Sequence, residues 1–74
     1  MKNTVKLFAS FRDNRFKIAD MEHPDGTNCR RIMRELGLTE EEIGIVLINS
    51  RHVSLDQVLH DGDTLAMFPL VGGG

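Results

Sequence analysis

The residue types that usually carry chemistry are scattered through this sequence. His23, His52 and His60 fall in separate turn-like stretches with no cysteine or carboxylate at metal-ligand spacing, so no bound metal is expected. Cys29 shares an i, i+3, i+4, i+7 apolar stripe with Ile32, Met33 and Leu36, which marks it as a small core residue ahead of a catalytic thiol. Ser10, Ser50 and Ser54 lack a His/Asp arrangement that would activate them, and Glu40 to Glu42 reads as a helix start rather than an acid/base pair. What remains is the C-terminal stretch "FPLVGGG", Phe68 to Gly74. Without side chains, Gly72, Gly73 and Gly74 can enter a channel only as wide as a backbone. The α-carboxylate of Gly74, with a pKa near ~3.5, is ionised at neutral pH and is a poor electrophile. It can nevertheless attack the α-phosphate of ATP and become an acyl-adenylate with a good leaving group. No helix follows these glycines, so they form no phosphate loop, and a partner must supply the nucleotide site.

Ordering such a tail costs on the order of 1–2 kcal/mol per residue, so binding energy has to come from elsewhere on the chain. The final strand pattern "TLAMFP" sets Leu65 and Met67 on one face and Ala66 and Phe68 on the other. In "TVKLFASFR", Val5, Leu7, Ala9 and Phe11 alternate with Lys6, Phe8, Ser10 and Arg12. If these strands lie side by side, Phe8 and Phe68 share the face away from the helix, with Ala66 between them and Pro69, Leu70, Val71 and Gly72 leading out. Two outward phenylalanines indicate a docking patch; the alternative is that both pack against a loop.

The elements that position these residues follow from pattern. Asp13-Asn14 is a turn, and "RFKIADM" resumes a strand, giving a hairpin. Pro24 and Asp25-Gly26 break the chain, Thr27 or Asn28 caps a helix, and Gly37 ends it, with Arg30, Arg31 and Arg34 facing water. Thr39 to Glu42 matches a capping box. The run Ile45 to Ile48 has no alternation, which predicts a strand covered on both faces, followed by a turn at Asn49-Ser50 and a short return strand. The stretch "SLDQVLHDGD" reads as a surface turn, and pairing is expected to fail near Pro69, which has no N–H. Strand, strand, helix, strand, short strand, strand is the order of an α+β β-grasp (ubiquitin-like) domain. It would hold a mixed sheet of four to five strands with one main helix on one face, and its first and last strands would be parallel central neighbours. The division expected is a single domain over 1–69 and a glycine tail over 70–74.

At 74 residues the chain has room for one modest core and no deep enclosed active site. The formal net charge of -2 does not suggest a nucleic-acid or membrane surface. No apolar run approaches the roughly 18 residues of a membrane span. The single cysteine fits a reducing compartment, and a cytoplasmic location is expected.

Along its whole length the chain resembles the MoaD/ThiS family of ubiquitin-like sulfur carriers. The resemblance lies in "VKLFASFRD", the helix after "DGT", the "IVLIN" strand and, most specifically, "DGDTLAMFPLVGGG". It implies a protein co-substrate rather than an enzyme, binding no cofactor of its own. A ubiquitin-activating-type adenylyltransferase would use MgATP to adenylate Gly74, held out through Gly73, and sulfur would then replace the adenylate to give a thiocarboxylate. The sulfur acceptor would be held by the large subunit of molybdopterin synthase in one branch and by thiazole synthase, for thiamine, in the other. "LFASFRD" and "FPLVGGG" look more like the molybdopterin branch, whose tail often reads Phe-Pro-Pro-Val-x-Gly-Gly. Leu70 departs from it at the second Pro, and Gly72 fills the variable position. A protein modifier conjugated to lysines through Gly74 would share the same tail.

Overall fold

In a computed structural model, residues 1–70 are described. The expectations placed on Val71, Gly72, Gly73 and Gly74 lie outside these residues. The described chain forms β1 (Lys2–Leu7), β2 (Ile18–Glu22), α1 (Cys29–Glu35), β3 (Ile43–Ile48), β4 (Arg51–His52) and β5 (Thr64–Pro69). Two short 3-10 turns, Ala9–Arg12 and Glu40–Glu42, link them. The sheet order is β2-β1-β5-β3-β4, with β1 and β5 parallel at the centre and the other pairings antiparallel. This is the β-grasp arrangement: α1 crosses between the two halves of the sheet and covers one face.

Capping fixes the helix. Asn28 Oδ1 accepts the Arg31 N–H at 3.0 Å, so Asn28 is the N-cap. Thr27 Oγ1 donates instead to Pro24 O at 2.8 Å. At the other end Gly37 takes φ +75°, its N–H reaches Arg34 O, and the Leu38 N–H reaches Met33 O. That pair of bonds is a Schellman motif, and the glycine has no Cβ to oppose its left-handed backbone. Cys29, Ile32 and Met33 are buried against Val5, Leu7, Val46, Ile48, Leu65 and Met67 of the sheet, while Leu36 is only half-buried.

Four expectations need correction. First, β1 ends at Leu7: Ala9 adopts φ +52° and the chain coils into a 3-10 turn. Phe11 is buried from that turn, held by Arg12 Nε donating to Leu7 O at 2.7 Å, while Ala9 and Ser10 are exposed. Second, β3 is not covered on both faces. Val46 and Ile48 are buried, but Ile45 is 40% exposed and Leu47 half-buried, because a single helix shields only one side of the sheet. Third, the 54–63 segment is not merely a surface turn. Leu59 lies in the core, Leu55 packs against it, and Asn28 and Val58 form an isolated bridge. Fourth, Arg30 leaves open water, pairing with Glu40 and with Asp56 at 3.2 Å; both carboxylates, Glu40 first, raise its pKa. The loss of regular pairing expected about Pro69 is observed: β5 ends there, in register with Ile43 only beyond a bulge at Gly44, and the Leu70 N–H donates to Glu42 O at 2.8 Å.

The Asp61-Gly62-Asp63 turn sets where β5 begins. Asp61 Oδ1 accepts the Lys2 N–H at 2.7 Å, and the Gly62 N–H returns to Lys2 O at 2.8 Å, with Gly62 at φ +86°. Asp63 takes the His60 N–H on one oxygen and Asn49 Nδ2 on the other, both at 2.9 Å. Asn49 Oδ1 in turn accepts the Thr64 N–H. Asn49 and Ser50 both have positive φ, 51° and 69°, the pattern of a type I′ hairpin turn. The two turns thereby lock the start of β5 to β1 and to the β3–β4 hairpin.

Candidate functional site

Parallel pairing of β1 and β5 puts Leu7 opposite Met67, with both side chains in the core. The next residues, Phe8 and Phe68, must then lie together on the uncovered face. Their rings stack with centroids 4.1 Å apart and planes 10° from parallel. Arg12 lies over Phe8 with its guanidinium carbon 5.1 Å from the ring centroid. Since Phe68 occupies one side of Phe8, the guanidinium takes the other, and a cation–π contact completes the stack.

β3 extends the platform. Ile45 is in register with Phe68, and Leu47 with Ala66, so two more apolar side chains share this face. Ala66 is small, and the groove above it is bounded by Lys6, Phe8, Leu47, Thr64 and Phe68. On the far side of β1, Ile18 is in register with Lys6 and is 55% exposed. The structure therefore brings together Phe8, Ala66, Phe68, Pro69 and Leu70. Val71, Gly72, Gly73 and Gly74 belong to the undescribed end.

Leu70 is 66% exposed, yet its backbone is fixed by Glu42. Gly44 makes that fit possible: a Cβ there would stand 2.7 Å from Pro69 O and 3.0 Å from Leu70 Cα. Sequence reading missed Gly44, Ile45, Leu47, Arg12 and Ile18 as parts of this site. The signal for Ile45 and Leu47 was present, since a chain with one short helix cannot cover both faces of an apolar run. For Gly44 there was none, because its role depends on the close passage of β5.

The conventional catalytic groups stay apart. Burial of Cys29 pushes its thiol up to about 11, an effect its backbone hydrogen bond reduces and Asp63 reinforces. His23 is buried, with Nε2 2.6 Å from Glu35 Oε2. His52 and His60 are exposed, and no serine hydroxyl bonds a histidine or carboxylate among the described residues. No group of three metal-ligating side chains gathers among the described residues, and no helix there is long and apolar enough to cross a membrane.

A ubiquitin-like fold with an apolar platform at the root of a C-terminal glycine tail defines the class of this protein. The ThiS family model matches residues 5–74, and the chain belongs to that family. Among solved structures it is similar to a putative molybdopterin converting factor, subunit 1, from Pyrococcus furiosus. That likeness has 30% identity and a TM-score of 0.78, over 96% of this chain and 99% of that one. SAMP1 from Haloferax volcanii is 22% identical, with a TM-score of 0.78 over the whole of both chains. A complex of subunits 1 and 2 of the molybdopterin-converting factor from Helicobacter pylori also matches, at 22% identity and a TM-score of 0.67 over the whole of both chains. The last two likenesses concern the fold alone. No curated protein sequence matches the chain.

Proposed function

We propose that this protein is a sulfur carrier whose Gly74 carboxylate is adenylated and then converted to a thiocarboxylate that donates sulfur in cofactor biosynthesis. The observation that carries the reading is the coupling of platform and tail. The Phe8–Phe68 stack, Ala66, Ile45 and Leu47 form one apolar surface, and β5 leaves it directly through Pro69 and Leu70 toward the glycines. Membership of the ThiS family, matched through residue 74, supports the same reading.

The chain itself contributes presentation. A ubiquitin-activating-type adenylyltransferase docks on the platform and supplies MgATP. A Gly74 oxygen attacks the α-phosphate and pyrophosphate leaves. The terminal sulfur of a donor persulfide then attacks the acyl carbon as AMP leaves, and a thiol cleaves the resulting acyl disulfide, freeing the thiocarboxylate and leaving a disulfide on the donor. The thiocarboxylate sulfur is a better nucleophile than the oxygen it replaces, and a second enzyme docked on the same face uses it. Of the two branches we infer the molybdopterin one, with this chain as the small subunit of molybdopterin synthase beside its large subunit. The likeness to the Pyrococcus furiosus subunit, at 30% identity over almost the whole chain, supports that choice. The family model bears the ThiS name, which favours the thiazole branch as the second reading.

Intact mass spectrometry of the protein from its native host tests the carrier reading. The expected result is a C-terminal peptide heavier by the exchange of one oxygen for sulfur, sequenced to exclude oxidation of a methionine. Lysine conjugates through Gly74 in place of that species would make the chain a protein modifier. Unmodified carboxylate alone would refute both. Reconstitution with a molybdopterin synthase large subunit and, separately, with a thiazole synthase decides the branch.

A further inference from the structure

The platform has a charged flank that the apolar residues do not explain. Lys6 and Ile18 sit side by side across β1 and β2, Arg12 rests on Phe8, and Lys17 precedes Ile18; with Phe8 these line one shallow groove. None of Lys6, Arg12 and Lys17 has a carboxylate within ion-pair distance among the described residues. Of the nearby acids, Asp20 accepts from Thr4 Oγ1 at 3.1 Å, and Asp13, next to Arg12 in sequence, forms no ion pair with any of the three cations. Across the root of the tail, Glu40 is held by Arg30, and Glu42 accepts from the N–H and hydroxyl of Thr39. In a chain of net charge -2, one flank of the platform therefore carries three cations with no internal counterion among the described residues.

We propose that this flank, built on Lys6, Arg12, Lys17 and Ile18, receives an acidic surface of the protein partner and sets the angle at which the tail enters it. The proposal rests on the carrier reading and names the chemistry of the partner at that site. Phosphates of a nucleotide are not its target. Four residues follow Leu70 and reach at most about 15 Å, and a partner channel that holds them extended would keep Gly74 away from these cations. Nucleic-acid bases fit poorly too, because both sides of the Phe8 ring are taken, by Phe68 and by Arg12. An acidic protein surface satisfies the cations, and its apolar neighbours cover Ile18 and the stack. Complementary charge of this kind acts mainly on the association rate and fixes register.

The test measures docking to the ubiquitin-activating-type adenylyltransferase of the same organism, by stopped flow over a range of salt. Lys17→Glu is expected to slow association about tenfold at low salt and to flatten its salt dependence, with little change in dissociation. Lys2→Glu makes the same charge change where Lys2 already pairs with Glu22 at 3.9 Å. It should alter the rate less than about twofold. Equal effects of the two variants, or none from Lys17→Glu, would overturn the proposal. Competition by single-stranded DNA that Lys17→Glu abolishes would also overturn it, assigning the flank to nucleic acid. A wild-type chain that docks with the expected salt dependence but is never adenylated would refute the carrier reading and leave the acidic-partner assignment standing. Absence of docking would refute both.

Discussion

At the scale of single residues, Phe68 and Cys29 show how one side chain can be kept for function or for stability. Phe68 is half-buried, and its main neighbour is another ring on the same open face. Truncating it should remove stacking worth about 1 kcal/mol of stability, well below the roughly 3–5 kcal/mol of a buried phenylalanine. Partner affinity should fall further, since an aromatic at the centre of an interface often carries 2 kcal/mol or more. Urea denaturation and a titration against the adenylyltransferase would measure both in the Phe68→Ala variant; a stability loss exceeding the affinity loss would assign Phe68 to the core. Cys29 is the opposite case, fully buried and facing α1's neighbours in the core. Its thiol pKa is raised from 9.0 to about 11, chiefly by burial. Below pH 9 both the folded and unfolded chains keep the proton. Between pH 9 and about 11 only the folded chain does, so unfolding releases a proton and stability falls as pH rises. The loss is on the order of 2–3 kcal/mol across that window. Compared with wild type, Cys29→Ala should lack that increment of alkaline destabilisation, and sulfur transfer in Cys29→Ser should be intact.

At the scale of elements, sequence pattern and tertiary context share the work unequally. The alternation in β5 was sufficient: Leu65 and Met67 are buried, and Ala66 and Phe68 lie opposite, as their spacing requires. The same alternation misled at Ala9 and Phe11. Phe11 does reach the core, but from a 3-10 turn whose geometry depends on Arg12 gripping Leu7 O, a contact invisible to a period-two pattern. In β3 the four consecutive apolar residues hid a real alternation, because the outward pair, Ile45 and Leu47, is apolar although it faces away from the helix. The docking face was legible where phenylalanine marked it and illegible where isoleucine and leucine did. The difference within β3 can be measured directly. Ile48→Ala opens a cavity beneath α1 and should cost about 2–4 kcal/mol, whereas Leu47→Ala, on the uncovered face, should cost about 1 kcal/mol or less. Equal losses by chemical denaturation would mean that something other than the described chain covers the open face.

At the scale of the whole molecule, the design separates what folds from what reacts. The core cluster is built from residues between Val5 and Met67, and the Leu70 N–H on Glu42 O holds the end of the described chain. The two turns around Asp63 fix the start of β5, and the bulge at Gly44 with the Glu42 bond fixes its end. β5 is thus anchored at both ends beside the apolar platform, which on the proposed reading supplies the docking contacts. On the proposed reading, binding energy from the platform has to offset the cost of holding the glycines in the partner's site, on the order of 1–2 kcal/mol per residue. It follows that activation and folding should respond independently to changes at the tip. Removing Gly73 and Gly74 should leave the melting temperature within about 1 °C of wild type, because two glycines carry no side chain to bury and the core cluster is built from residues between Val5 and Met67. The same deletion should abolish ATP–pyrophosphate exchange with the adenylyltransferase while the shortened chain still competes for docking. Calorimetry, exchange and competition on the one variant separate the three roles. A shortened chain that melts early would place the tail in the fold, and one that no longer competes would place most of the docking energy in the glycines rather than in the platform.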